Sequence, residues 1–240
     1  MRSKEIETMG NYSYSKQSAM YDVDVCMLID KTGSMRPIID TVKANALRLY
    51  DDIKRDMAVK GKNISNLRVR VMAFGDYKED GAEAFYGCDF LHMPDQAELL
   101  KQCVNSIRAE GGGDEPEDGL EALAFGIRSK WCTGNNKKRH IVCLFTDASS
   151  HDLGFGRSVP GYPTDAPKSY EELMCMWGTP QFPGEMDPYA KRLLLFAPDC
   201  SYWSKIARQW DNTILMPVAS GKGLGDVSYQ SMLDTIGNSI

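Results

Sequence analysis

The chain has 240 residues, with 28 Lys and Arg residues against 33 Asp and Glu residues and a formal net charge of −5 at pH 7. This acidic balance excludes a general binding surface for nucleic acid. Hydrophobic residues make up 42% of the chain and charged residues 25%, which is the composition of a globular protein and excludes a disordered, collagen-like or coiled-coil chain.

The N-terminal residues and the cysteines indicate the cellular compartment. Residues 1–21 contain no apolar core of the length that a signal peptide needs, and no later stretch approaches the roughly 20 apolar residues of a membrane span. The seven cysteines are odd in number and form no C-x-x-C pair, so reduced thiols are expected. We therefore predict a cytoplasmic protein without a membrane partner, with a polar extension over residues 1–20 and a single domain over residues 21–240.

Short apolar runs alternate with amphipathic segments in the first part of the chain. Residues 23–29 are too short a run for a helix before the Gly33 turn, so they predict a buried strand. Pro37, followed by apolar residues at three- and four-residue spacing up to Met57, predicts an amphipathic helix. Similar patterns predict strands at 67–74, 85–91 (at the sheet edge) and 141–145, and helices opened by Pro94 and by Pro116.

The composition changes between residues 148 and 190, where Gly and Pro are frequent. We expect a loop-rich insertion there, with a short helical pattern near 170–176 and with aromatic and Met side chains buried in a small satellite core. The alternation then resumes, with strands predicted at 192–196 and 213–218 and helices at 202–210 and about 227–236. The whole pattern predicts an α/β fold, a doubly wound, Rossmann-like, mostly parallel six-stranded sheet with helices on both faces.

Oxygen-bearing side chains follow several of the predicted strands, at the edge where such sheets bind ligands. Asp30, Thr32 and Ser34 stand at alternate positions after the first strand. From a tight turn, one carboxylate and two hydroxyls can face one point, as they do around Mg²⁺. Further acids follow the second strand, the glycines 111–113 and the central strand, namely Asp76, Asp114, Glu115, Glu117, Asp118 and Asp147. No cluster of His or Cys accompanies them in the sequence, which favours a hard cation over zinc or copper.

Each of these residues taken alone has a simpler interpretation. Ser34 can cap the helix that follows it, and the acids around Pro116 can cap the next helix or suit its positive end. These interpretations do not account for Asp30 and Asp147 together. Two carboxylates at the ends of neighbouring strands repel each other unless a cation or protons relieve them.

Three motifs in this order resemble the metal-ion-dependent adhesion site of von Willebrand factor type A domains. They are D-x-T-G-S-M after an apolar strand, G-G-G-D-x-P-E before a helix, and T-D-A at the end of the next core strand. The second motif has Asp114 where most of the family has Thr, and in this it is similar to the type A domains found with α-kinases. The resemblance extends from about residue 21 to residue 236, apart from the insertion.

The resemblance implies a protein-binding module and not an enzyme. In the family, Mg²⁺ or Mn²⁺ is held by hydroxyls and, partly through water, by carboxylates. An Asp or Glu side chain of a partner protein fills an open coordination position. The implied metal ligands are Asp30, Thr32, Ser34, Asp114 and Asp147. A third carboxylate at Asp114 would neutralise the ion more fully and weaken its attraction for an acidic partner residue.

Two alternatives assign other roles to these residues. Residues 30–34 are also similar to the D-K-T-G-T motif of P-type ATPases and haloacid dehalogenase-like phosphotransferases, with Asp30 as the nucleophile. The acidic motif at 75–80 argues against this alternative, because those enzymes place theirs late in the chain. In the second alternative the metal site is inert and the insertion does the binding. His151 and Asp152 begin the insertion, where a surface-loop position is favoured over contact with the site.

Overall fold

The computed structural model describes residues 19–110, 116–134 and 137–240. The strands in these ranges are β1 (Met20–Asp30), β2 (Asn63–Phe74), β3 (Phe85–Gly87), β4 (Leu91–Met93), β5 (Lys137–Phe145), β6 (Lys191–Pro198) and β7 (Thr213–Val218). They form one sheet, whose order is β3-β2-β1-β5-β6-β7 with β4 also paired to β2. Strands β3 and β4 run antiparallel to β2, and every other neighbouring pair is parallel.

Helices cover both faces of the sheet, which confirms the predicted α/β class. They are α1 (Arg36–Asn45), α2 (Leu49–Val59), α3 (Tyr77–Asp80), α4 (Ala97–Ser106), α5 (Gly119–Ile127), α6 (Tyr170–Trp177), α7 (Ser201–Gln209) and α8 (Tyr229–Ser239). One apolar cluster contains buried residues of α1, α2, α4 and α8, and a second contains those of α5, α6 and α7. Both clusters include side chains of β1 and β5, so these central strands are buried on both faces. None of the helices in the described ranges is long and apolar enough to cross a membrane.

The helix predicted over residues 37–57 is divided into α1 and α2 at residues 46–48. The Arg48 backbone N–H donates to the Asn45 carbonyl in a turn, and the Asn45 side chain donates to the Thr41 carbonyl. An Asn side chain that binds the backbone in this way competes with the helical hydrogen bonds. The amphipathic spacing continues across the break because both helices pack on the same face of the sheet.

The edge strand predicted over residues 85–91 is also divided. Both β3 and β4 pair with β2 in antiparallel orientation, and residues 88–90 separate the two strands. The Cys88 backbone N–H still donates to the Val71 carbonyl of β2 at 3.0 Å. Within the described residues the sheet therefore has seven strands, where the sequence predicted six.

The start of α5 differs from the prediction in a way that shapes the site. The helix expected from Pro116 begins at Gly119. Glu117 instead forms a parallel β-bridge with Ser150, and the Asp118 backbone N–H donates to the Gly75 carbonyl at 3.2 Å. These contacts hold the segment before α5 against the loops that follow β2 and β5.

Residues 148–190 pack onto the sheet through α6. Leu173 and Trp177 are buried in the same apolar cluster as α5 and α7, so the expected satellite core is part of the main core. The Lys191 ammonium donates to the Trp177 carbonyl at 2.8 Å, which ties the end of α6 to the start of β6. Phe182 and Tyr189 are exposed.

Candidate functional site

The four described residues of the expected metal site lie together at the carboxyl ends of two neighbouring strands. Asp30 ends β1, and Asp147 follows β5, which pairs with β1 in parallel. A short 3-10 turn after β1 brings the Ser34 hydroxyl to Asp147, where it donates to Oδ1 at 3.0 Å. The same hydroxyl lies 3.4 Å from the Thr32 hydroxyl. Asp114, the fifth expected ligand, lies outside the described residues.

Asp30 forms the buried floor of this group. Its Oδ1 accepts the Thr32 backbone N–H at 2.8 Å, and its Oδ2 accepts the Thr146 hydroxyl at 2.7 Å. Burial raises the pKa of Asp30 to about 6; these hydrogen bonds oppose the rise and the charge of Asp147 adds to it. Ser34 is exposed, whereas Asp30, Thr32 and Asp147 are buried. The group therefore opens to solvent at the Ser34 hydroxyl.

The glycine-rich loop after β7 holds Asp147 in place. The Gly223 backbone N–H donates to Asp147 Oδ2 at 2.5 Å, and the Gly221 N–H donates to the Asp147 carbonyl at 2.9 Å. Gly223 has a φ of +63°, and a Cβ atom there would lie 2.2 Å from the Ser34 carbonyl oxygen. Sequence reasoning missed this role, because glycines at 221, 223 and 225 are equally typical of a plain strand-to-helix turn.

Two acidic residues before α5 add buried carboxyl groups beside this group. Glu117 is 3% exposed and Asp118 is fully buried. Glu117 Oε2 and Asp118 Oδ1 have no hydrogen-bond partner within the part of the chain that the structure describes. Burial, with added repulsion from Asp30 and Asp76, raises the pKa of Glu117 to about 9, and burial raises the pKa of Asp118 to about 7.

His151 joins these acids and was not expected to do so. Its Nε2 lies 2.9 Å from Asp76 Oδ2, and the two side chains are 13% and 9% exposed. The sequence favoured a surface-loop position for His151. No local pattern indicates the contact, because 75 residues separate the two partners.

The donor atoms at this edge suit a divalent cation. Thr32, Ser34 and Asp147 offer two hydroxyls and a carboxylate, the hard oxygen donors that Mg²⁺ and Mn²⁺ prefer. Lys31 neutralises one nearby acid through its 2.9 Å ion pair with Asp80. Glu117 Oε2 has no hydrogen-bond donor among the described residues, so the surroundings of this carboxyl group do not stabilise its ionised form.

Comparison with known proteins gives distant similarities. No family model matches the chain. Over 145 residues it is 23% identical to the α-protein kinase vwkA of Dictyostelium discoideum, in an alignment that covers 60% of this chain and 21% of that protein. The chain therefore spans about a fifth of the length of this curated relative.

Solved structures of low sequence identity resemble the chain in shape. A von Willebrand factor type A protein from Catenulispora acidiphila is 14% identical, with a TM-score of 0.49 and coverage of 92% of this chain and 43% of that one. The pilus adhesin SpaC from Lactobacillus rhamnosus GG is 13% identical, with a TM-score of 0.49 and coverage of 90% and 30%. The von Willebrand factor domain of the pilus tip protein Mfa5 from Porphyromonas gingivalis is 19% identical, with a TM-score of 0.36 and coverage of 55% and 39%.

Replacement of Gly223 by Ala should lower the free energy of unfolding by about 1–3 kcal/mol or more. The residue has a left-handed backbone conformation, and the new methyl group would collide with the Ser34 carbonyl oxygen. Gly225→Ala is the matched control, since a Cβ atom there meets nothing within 4 Å. The control should change the free energy of unfolding by less than about 0.5 kcal/mol. Urea denaturation compares the two variants with wild type, and equal effects at both positions would contradict the role of the loop.

The metal-free protein should lose stability as the pH rises from about 4 to about 9. The pKa values of Asp30, Asp118 and Glu117 in the folded protein, about 6, about 7 and about 9, lie above the values of about 4 in an unfolded chain. The folded state therefore binds more protons in this window, and their stabilising effect is lost as the pH passes the folded pKa values.

Urea denaturation in EDTA at pH 5 and pH 8 measures this loss as a fall in the free energy of unfolding. Glu117→Gln should flatten the dependence, because Gln has no carboxyl group to ionise. A wild-type free energy of unfolding that is constant or rises over this range would refute the expectation.

Proposed function

We propose that the chain is a von Willebrand factor type A domain that binds a partner protein through a divalent cation, Mg²⁺ or Mn²⁺. The observation that carries this proposal is the convergence of Asp30, Thr32, Ser34 and Asp147 at the carboxyl ends of β1 and β5. The three sequence motifs and the distant identity to the Dictyostelium protein support it. The kinase activity in that protein's name belongs to the relative, and the alignment covers only 21% of it.

The hydrogen bonds suggest which of the proposed ligands would bind the ion directly and which would bind it through water. Thr32 and Ser34 would bind the ion directly, because their hydroxyls lie side by side and the Ser34 side is open. Both oxygens of Asp30 already accept hydrogen bonds from Thr32 and Thr146, so Asp30 would act through water. Asp147 would bind directly or through water, and Asp114 stays in the proposed ligand set from the sequence motif.

An acidic side chain is the partner group that such a site would select. A divalent ion held by two neutral hydroxyls and few direct carboxylates keeps net positive charge and exchangeable water. A partner's Asp or Glu could replace a water on the open side beside Ser34. The exposed hydroxyl is thus the proposed point of contact.

The hydrogen bonding of Asp30 supports a binding function over phosphotransfer. A nucleophilic carboxylate needs an oxygen that can reach a phosphorus atom. Asp30 is fully buried, and both of its oxygens accept hydrogen bonds from neighbouring Thr residues. We therefore propose a non-enzymatic role for this site.

Saturation with Mg²⁺ or Mn²⁺ at 100 times its Kd should stabilise the wild-type fold by about 2.7 kcal/mol, because only the folded chain holds the ligands together. Ser34→Ala should abolish the response without unfolding the protein, since Ser34 is exposed. Thr41→Ala is the control, because it removes a hydroxyl that donates to the Pro37 carbonyl within α1. Thermal melts in EDTA and in each metal give the comparison. A wild-type melting temperature indifferent to metal, or a full response in Ser34→Ala, would refute the site.

The partner should depend on the same hydroxyl and on metal. Affinity capture from native lysate with immobilised wild-type protein should retain a set of proteins in Mg²⁺ that EDTA releases. Ser34→Ala should fail to retain this set, whereas Thr41→Ala should retain it. Equal recovery with all three baits would favour an inert metal site with binding elsewhere on the chain.

A further inference from the structure

Asp76, Asp118 and His151 form a second group of possible metal ligands beside the site described above. Each residue offers one ligand atom, and these atoms all lie within 4.8 Å of one another. Asp76 lies in the loop after β2, Asp118 directly precedes α5, and His151 lies in the loop after β5. Three separate segments of the chain thus converge on one small volume.

Hydrogen bonds and a ring contact hold the three segments in fixed relative positions. The Asp118 N–H donates to the Gly75 carbonyl at 3.2 Å, and the His151 N–H donates to the Glu117 carbonyl at 2.9 Å. The Phe155 ring stacks on the His151 imidazole with 3.7 Å between the ring centroids. These contacts position the loops without using the carboxylate oxygens or the imidazole nitrogens of the group.

The charges in this group are not balanced by hydrogen bonds. Asp118 Oδ2 accepts the Tyr77 backbone N–H at 2.8 Å, but Asp118 Oδ1 is buried without a partner among the described residues. Asp76 is bound by the Lys78 backbone N–H and by His151. The Lys78 ammonium itself lies over the Phe155 ring, 3.3 Å from its centroid. A fully buried carboxyl group that has one unpartnered oxygen and lies beside an imidazole and a second carboxylate is a feature that a metal ion would satisfy.

We propose that Asp76, Asp118 and His151 bind a divalent transition metal of the Zn²⁺ type, at a site separate from the one formed by Thr32, Ser34 and Asp147. The imidazole favours Zn²⁺ over Mg²⁺, because Mg²⁺ takes oxygen ligands whereas a neutral imidazole is a common zinc ligand. Metal binding through Nε2 needs the lone pair of this nitrogen, so the His151–Asp76 hydrogen bond is given up. A proton on Nε2 of the neutral imidazole moves to Nδ1, whereas an imidazolium releases it to solvent. Three protein ligands leave a fourth position for water or for a group of a ligand.

Elsewhere in the fold, Asp24, Cys132 and His140 also place their ligand atoms within 4.8 Å of one another. There the Arg68 guanidinium binds both oxygens of Asp24, at 2.8 and 2.6 Å. A fixed cation already neutralises that carboxylate, so a metal ion would have to displace it. In the part of the chain that the structure describes, no Lys or Arg side chain forms an ion pair with Asp76 or Asp118.

The test measures Zn²⁺ affinity of the metal-free 240-residue protein by competition with a chromogenic chelator. Wild type should bind one Zn²⁺ at this site, and His151→Gln should weaken that binding more than about 100-fold. Loss of a mere hydrogen-bonding partner of a ligand costs about 10–100-fold, so the larger effect identifies a ligand. Asp118→Asn, which keeps an acceptor for the Tyr77 N–H, should weaken binding to a similar extent. Circular dichroism in EDTA should show both variants folded like wild type.

Ser34→Ala separates this proposal from the proposed function. It should retain wild-type Zn²⁺ affinity within about threefold while it loses the response to Mg²⁺, because Ser34 is outside the His151 group. Co²⁺ bound to wild type should show visible d–d absorption that His151→Gln changes or lacks. The proposal is overturned if wild type binds no Zn²⁺, if folded His151→Gln binds it as tightly as wild type, or if Ser34→Ala loses it to the same extent as His151→Gln.

Discussion

The crowding of buried carboxylates at one edge of the sheet is the constraint on which the rest of this structure depends. Parallel strands β1, β2 and β5 end at the same edge, which brings Asp30, Asp76 and Asp147 near one another. Removing ionised groups from water is costly, and like charges add to that cost. Backbone amides, threonine and serine hydroxyls and the Lys31 ammonium relieve part of it. The remainder favours protons or cations at this edge.

The apolar core fixes where these charges lie. The Trp203 indole N–H donates to the Ala148 carbonyl at 2.9 Å, one residue after Asp147. Its ring lies so close to Gly119 that a Cβ atom there would be 2.8 Å away. One buried aromatic side chain on α7 thus contacts both the segment after β5 and the start of α5. Packing therefore holds the acidic groups near one another against their mutual repulsion.

The two proposed sites differ in donor chemistry but share an electrostatic neighbour. One offers hydroxyls and carboxylates, and the other adds an imidazole, so they suit different metal ions. Glu117 is close enough to both Asp30 and Asp76 for their charges to raise its pKa.

The sequence by itself determined the alternation of strands and helices and both end residues of the strand Thr213–Val218. It also determined the local turn that presents Thr32 and Ser34. Hydrophobic periodicity reports which side of an element is buried, and residues two apart in a turn are neighbours in any fold. Only the tertiary structure decided that Gly223 donates to Asp147 and that His151 meets Asp76, contacts across 76 and 75 residues of chain. These contacts depend on how the loops cross the sheet edge, and periodicity within one element carries no information about that crossing.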